Sequence, residues 1–155
     1  MMQRGMRRND RELALEQTKQ ILIKAEYGVL ATIGKDGYPY AVPLSYAYEN
    51  NSIYIHGANE GHKLENIAFS SKVSFCAVGD TKVLPSKFST DYTSVIIFGQ
   101  ASKLEGNEKI HALECFIKKY SPDHMQSGMK YIENDQMKTT VLKIEIEKIT
   151  GKSRK

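Results

Sequence analysis

An eleven-residue segment, 38–48, alternates large and small side chains without interruption. This period of two is typical of a β-strand, because successive strand side chains point to opposite faces. Pro39 and Pro43 lie four residues apart on the small face, so both missing N–H groups fall on one side of the strand. Since proline is confined to edge strands or bulges, the segment predicts a strand with a broken ladder. Two interpretations stay open: an edge strand with aromatic packing, or an opened surface where a flat heteroaromatic ligand lies.

The rest of the chain supplies five more strand-like segments and several helices. The strands are expected at 27–33, 53–56, 73–78, 94–104 and 139–149, in addition to 38–48. Helices are expected at 10–25 (opened by a capping-box spacing of Asn9 and Glu12), at 61–69, from Asn107, and from Pro122 to about 134. A long polar connection is expected over 79–93. The pattern predicts a mainly β fold, a small antiparallel β-barrel with inserted helices, and disfavours a doubly wound parallel sheet.

The length of 155 residues favours a single domain, 1–155, with 1–9 and 152–155 as flexible tails. The net charge of +4 is concentrated at the ends, because residues 1–11 and 151–155 each carry +3 whereas residues 12–150 carry −2. All five arginines lie in these ends. This distribution argues against a folded basic face for nucleic acid. An anion site in the body must therefore use lysine, histidine or backbone N–H groups.

Several other classes of protein are disfavoured by the same sequence. The N-terminal residues show no apolar signal-peptide core and the apolar runs are short, so we expect no membrane span and a cytoplasmic location. Cys76 and Cys115 are isolated cysteines, expected to be small core residues rather than a disulfide pair. His111 and His124 share no ligand spacing with each other or with Cys115, so no metal site is expected.

A second dense patch covers residues 56–67, where a strand is expected to end and a helix to begin. Gly57 and Gly61 permit a close approach, and the first helical turn offers free N–H groups to an anion. Lys63 adds a positive charge in that turn, where a cation is mildly unfavourable unless an anion lies beside it. The patch predicts an anion site, although a simply solvated Lys63 remains the alternative.

Taken together, several short motifs resemble one family. They are residues 28–32 (GVLAT), 36–39 (DGYP), 42–46 (VPLSY), 55–58 (IHGA), 61–63 (GHK) and 150–152 (TGK). In this order they resemble the FMN-binding split barrels of the pyridoxamine 5'-phosphate oxidase-like superfamily, in the branch of the nitroimidazole-resistance (nitroimidazole reductase-like) proteins. The resemblance implies a six-stranded antiparallel split β-barrel and a homodimer that binds FMN at the subunit interface.

The resemblance also implies a set of cofactor-binding residues. Those along the second strand are Val42, Pro43, Leu44, Ser45 and Tyr46. Those at the end of the third strand are Ile55, His56, Gly57 and Ala58. Those that face the phosphate at the helix start are His62, Lys63 and Asn66. Those expected from the opposite subunit are Tyr92, Thr93 and Ser94. Lys152 is a further basic candidate if the C-terminus folds back to the interface.

The resemblance implies an FMN-dependent oxidoreductase that transfers electrons from a donor such as NAD(P)H to a small electron-poor acceptor, for example a nitroimidazole or nitroaromatic. His62 matches the histidine that this branch places near the flavin, and it is the expected catalytic residue, as a proton donor or substrate contact; binding the phosphate is its other possible role. The body lacks arginine, which argues against pyridoxamine phosphate as substrate. The alternatives are a non-enzymatic flavin or haem store, with His56, His62 or His124 as axial ligand, or a decayed site.

Overall fold

A single antiparallel sheet with four helices forms the protein, seen in a computed structural model that describes residues 4–155. The strands are β1 (Gly28–Ile33), β2 (Pro39–Leu44), β3 (Ala47–Glu49), β4 (Ser52–Gly57), β5 (Lys72–Leu84), β6 (Ser89–Lys103) and β7 (Thr140–Arg154). The helices are α1 (Leu15–Lys24), α2 (His62–Phe69), α3 (Gly106–Tyr120) and α4 (Met125–Asp135). The strand order is β2-β1-β5-β6-β7-β4-β3. The predicted mainly β fold with inserted helices is confirmed, and it is consistent with a split barrel.

The sheet has seven strands rather than six because the predicted second strand is divided. Ser45 and Tyr46 interrupt it, so β2 pairs with β1 at one edge of the sheet while β3 pairs with β4 at the other. Tyr46 is fully buried at this bend. Pro39 and Pro43 lie on the edge strand β2, where their missing N–H groups face no further strand of this chain. The expected edge strand is therefore confirmed.

The polar connection predicted over 79–93 is wrong, because this segment is a long β-hairpin. β5 and β6 stay paired as far as Leu84 and Ser89, with a register shift between Val78 and Thr81. A single turn with Phe88 in the left-handed region, at φ 50°, reverses the chain. The hydrophobicity pattern does not indicate these strands, because both faces of this part of the hairpin are exposed or half-buried and carry polar residues.

Both ends of the described chain are more ordered than expected. The capping box at Asn9 is absent, since α1 begins only at Leu15, where Gln17 accepts the Ala14 N–H. The segment before it runs along β7, with the Leu13 N–H bonded to the Gly151 carbonyl at 2.9 Å. The predicted C-terminal tail is likewise wrong for 152–154, which belong to β7 and pair with β6. Residues 1–3 of the predicted N-terminal tail lie outside the described residues.

Two apolar clusters hold the fold together. One fills the barrel and includes Leu30, Phe75 and Ile97, and the other lies between β4, β7 and the helices α3 and α4. Cys115 is buried in the second cluster, as expected. Cys76 is not a core residue, because it is only half-buried and alternates with the buried Phe75 and Ala77. None of the described helices is long and apolar enough to cross a membrane.

Candidate functional site

The end of β4 and the start of α2 form a compact cationic junction. Gly61 precedes the first helical residue with a φ of 147°, a conformation that favours glycine and turns the chain into the helix. The Lys63 ammonium packs against Gly57, where an added Cβ would lie 3.0 Å from Nζ. The first-turn N–H groups and this ammonium therefore face the same end of the sheet, which suits a phosphate.

His62 extends this junction toward the edge strand β2. Its exposed imidazole lies on the Tyr40 ring, with the centroids 4.0 Å apart and the planes tilted by 30°. A cavity of about 590 Å³ adjoins the imidazole and is bordered by Lys35 and Asp36 of the β1–β2 hairpin and by Phe69. The Tyr40 contact holds the imidazole at the cavity mouth, where both solvent and a small molecule can reach it.

The small face of β2 is open, as the second interpretation of its sequence requires. Pro39, Ala41, Pro43 and Ser45 are all exposed. Val42 and Leu44, on the other face, pack against the barrel core. Of the residues predicted along this strand, Pro43 and Ser45 therefore have accessible side chains, whereas the side chains of Val42 and Leu44 are half-buried against the core.

Two other predicted residues have their side chains in the core. Tyr46 is fully buried, and its hydroxyl donates a hydrogen bond to the Leu22 carbonyl. Ile55 is also fully buried in the barrel cluster. Their side chains fix the bend after β2 and the end of β4. The Tyr46 N–H also donates a hydrogen bond of 3.1 Å to the Tyr120 hydroxyl, so the backbone of Tyr46 is engaged as well.

Asn66 is buried beneath the junction, whereas His56 is exposed at the end of β4. Asn66 is 4% exposed and donates a hydrogen bond of 3.0 Å to Thr32, which ties α2 to β1. His56 presents its ring to Phe116 at 4.4 Å, edge to face. Desolvation and the nearby Lys63 charge lower the pKa of His56, which favours a neutral imidazole. Ala58 is exposed just beyond β4.

Tyr92, Thr93 and Ser94 lie far from this junction within one chain. β7 pairs with Gly57 at Thr140 and with Ser94 at Lys152. These two points are twelve residues apart, or about 40 Å along an extended strand. The Lys152 ammonium lies 5.6 Å from the Tyr92 ring centre and, as a hydrogen-bond donor, lowers the pKa of Tyr92. One subunit therefore does not bring the two groups together.

Two features of the molecule are not predicted from the sequence. The sequence pattern places Tyr40 on the large face of the second strand, but it does not indicate the contact between Tyr40 and His62. The prediction that His111 and Cys115 share no ligand spacing is wrong, because they lie one helical turn apart on α3 and both contact Glu49. The i, i+4 spacing was the available signal, while Glu49 is supplied by the fold.

The family of this chain follows from its match to a protein-family model. A family model described as pyridoxamine 5'-phosphate oxidase matches residues 15–153, nearly the whole chain. The chain belongs to the pyridoxamine 5'-phosphate oxidase family. The sequence resemblance to this superfamily is thus confirmed. A search among curated proteins found no match.

Solved structures similar to this family member share its fold at low sequence identity. A candidate 5-nitroimidazole antibiotic resistance protein from Bacteroides thetaiotaomicron is 23% identical, with a TM-score of 0.76 over 92% of this chain and 86% of that one. A FAD-binding protein from Mesorhizobium loti is 24% identical, with a TM-score of 0.66 over 94% and 98%. The haem storage protein HutZ from Vibrio cholerae is 11% identical, with a TM-score of 0.66 over 90% and 94%.

The residues at the junction fit the phosphate end of a flavin nucleotide. A phosphate needs a cation and N–H donors. Lys63 supplies the cation and the start of α2 supplies the N–H donors, beside Gly57, which has no side chain to block a ligand. The small side chains of β2 are exposed on the strand face opposite Tyr40 and leave a flat surface there. No arginine contributes, in keeping with the arginine-free body of the chain.

Proposed function

We propose that this chain is an FMN-dependent oxidoreductase that works as a cytoplasmic homodimer. It would reduce a small electron-poor acceptor, such as a nitroaromatic, with electrons from a nicotinamide donor. The carrying observation is the cationic junction, in which Lys63 lies against Gly57 at the first turn of α2 and His62 lies on the Tyr40 ring of β2. Membership of the family and the fold shared with a FAD-binding protein support this proposal.

Each part of the junction has a distinct role in the proposal. Lys63 and the N–H groups of α2 bind the phosphate, while Pro43 and Ser45 on the open face of β2 border the ring. FMN, when bound, supplies hydride and single-electron transfer. An imidazole nitrogen of His62 holds a proton at the cavity mouth and delivers it to the reduced acceptor. The Tyr40 ring orients this imidazole and shields one of its faces.

The second subunit completes the site in this proposal. The outward surface of β5 and β6 exposes Val78 and Ile96, at 47% and 44%. Such an exposed apolar stripe is suited to contact with a second copy. A cavity of about 250 Å³ beside Ile96 is bordered by Phe98 and by the cations Arg4, Lys148 and Lys152. Ser94 borders the same cavity. A dimer through this stripe would bring Tyr92, Thr93 and Ser94 to the junction of the other subunit, which a single chain does not do.

The visible spectrum of the purified full-length chain tests the proposal directly. We expect bound FMN, bleaching on addition of NADH or NADPH, and recovery of the colour with a nitroaromatic acceptor. Replacing His62 with Gln should lower the turnover at least tenfold while FMN affinity stays near wild type. A colourless protein that also fails to quench added FMN would overturn the proposal.

A non-enzymatic flavin or haem store is the second candidate. His56 favours it, because the lowered pKa of this histidine leaves a neutral imidazole near the junction, the form that coordinates haem iron. The fold is shared with a haem storage protein. A Soret band after addition of haemin, lost in the variant His56→Ala or His62→Ala, would favour haem storage. Bound FMN without oxidation of any nicotinamide would favour flavin storage.

A further inference from the structure

A cluster of three metal-ligating side chains lies on the opposite side of β4 from the barrel core, apart from the junction. Glu49 ends β3, and His111 and Cys115 lie on the face of α3 that packs against it. Their ligand atoms all lie within 4.8 Å of one another. The three residues supply one oxygen, one nitrogen and one sulfur ligand, a mixture that suits Zn²⁺.

The distances within this cluster are close to those around a small cation. The Glu49 Oε1 atom lies 2.8 Å from His111 Nε2, and Oε2 lies 2.7 Å from Cys115 Sγ. Cys115 Sγ and His111 Nε2 are 3.8 Å apart. A tetrahedral zinc with bonds of about 2.0–2.3 Å keeps its ligand atoms roughly 3.3–3.7 Å apart. The observed separations of 2.7 to 3.8 Å bracket this range, so small side-chain shifts would seat a cation.

Regular elements hold the three ligands in place. A tight turn follows Glu49, in which Asn50 and Asn51 both take positive φ values of 47° and 59°, and this turn fixes the end of β3. His111 and Cys115 are one turn apart on a helix whose apolar face, including Ala112 and Phe116, is buried. The ligands are therefore positioned by packed structure rather than by a mobile loop.

The surroundings leave room for a fourth ligand. A cavity of about 380 Å³ adjoins Glu49 and Cys115. Lys118 also borders this cavity but lies 3.8 Å from Glu114, and Lys119 lies over the Tyr46 ring. The charge of Lys118 still acts on Glu49 and Cys115, but Glu108 and Glu114 add negative charge nearby.

We propose that Glu49, His111 and Cys115 bind a divalent zinc-type cation, with water in the fourth position facing the cavity. Binding replaces the Cys115 S–H bond with a sulfur–metal bond and releases that proton to solvent. The cation would link the β3–β4 hairpin to α3. The metal site shares no ligand with the cationic junction, so metal binding at this site does not depend on bound FMN.

Metal titration of the full-length chain tests this site. After treatment with a chelator and its removal, we expect one equivalent of Zn²⁺ per chain, measured by competition with a chromogenic chelator. Co²⁺ should give a thiolate-to-cobalt charge-transfer band. The variants His111→Ala and Glu49→Gln should each weaken binding at least tenfold, and Cys115→Ala should abolish the band. Zn²⁺ should raise the Tm of the wild type but not that of His111→Ala.

Cys76→Ala and His124→Ala are the matched controls, and both should bind metal as the wild type does. If Cys115→Ala fails to fold by circular dichroism, His111→Ala decides the question, since its ring is 48% exposed and tolerates removal. The proposal is overturned if the wild type binds no metal, if His111→Ala binds as tightly as the wild type, or if Cys76→Ala removes the cobalt band.

Discussion

The Lys119 ammonium lies 3.6 Å from the centre of the Tyr46 ring, buried and without a hydrogen-bond partner among the described residues. Burial lowers the pKa of this lysine from 10.5 to about 8. The ring face offsets part of the desolvation, because a cation over an aromatic ring gains about 0.5–2 kcal/mol. The contact also closes the bend after β2, where Tyr46 enters the core. Charge at this position therefore reduces the stability of the fold.

Replacing Lys119 with Met should stabilise the protein in a pH-dependent way. Between pH 8 and 10.5 the unfolded chain holds the lysine proton while the folded chain releases it, so wild-type stability gains with rising pH. We expect the variant to exceed the wild type by about 1–3 kcal/mol at pH 7, with the advantage shrinking above pH 8. Urea unfolding at pH 7 and pH 10 measures the difference, and Lys130→Met is the control. An advantage that is equal at both pH values would contradict the explanation.

Replacing Gly99 with Ala should weaken the pairing of β6 with β7. An added Cβ would lie 2.3 Å from the Glu145 carbonyl oxygen, next to the register shift after Phe98. Because the obstacle is backbone, the strands must move, and we expect a loss of about 1–3 kcal/mol in the free energy of unfolding. The comparison is Gly5→Ala, where an added Cβ meets nothing within 4 Å. Equal stabilities of the two variants would refute this prediction.

Replacing Lys63 with Ala should weaken FMN binding if the junction holds the phosphate. Loss of a charge-assisted contact costs about 1.5–3 kcal/mol, or roughly a 10- to 150-fold rise in Kd. Fluorescence titration with FMN gives the Kd, and riboflavin, which lacks the phosphate, should show little difference between variant and wild type. Lys87→Ala, in the distant hairpin turn, should bind FMN as the wild type does. An unchanged Kd for Lys63→Ala would remove Lys63 as the anchor.

Replacing Ile96 with Glu should disrupt the proposed dimer. The side chain is 44% exposed on the outward surface of β6, so the fold tolerates a charge there while an apolar interface does not. We expect a monomer by sedimentation velocity, together with weakened FMN binding, because the second subunit no longer supplies its residues. Tyr131→Glu, exposed on α4, tests whether any surface charge has this effect. A variant that stays dimeric would show that the interface lies elsewhere.

The local order of the chain was already readable from its sequence. The alternation at 38–48 and the Gly61–Lys63 motif predicted an edge strand and a helix start, and both are found. Patterns of this kind depend on neighbouring residues, and the backbone conformation follows from them directly. The division of the second strand at Tyr46 could not be predicted. The alternating residue pattern of a strand is the same whether the strand pairs with one neighbour along its whole length or changes its partner midway.

Contacts across the sheet were decided by the tertiary structure alone. The stacking of Tyr40 on His62 joins residues from an edge strand and a helix start, and no local pattern specifies their distance. Glu49 reaches His111 and Cys115 only because α3 packs over the β3–β4 hairpin. Sequence periodicity fixes which face a side chain occupies, whereas burial of both apolar clusters determines which faces meet. The cationic junction was therefore visible in the sequence, while the metal-ligating cluster required the fold.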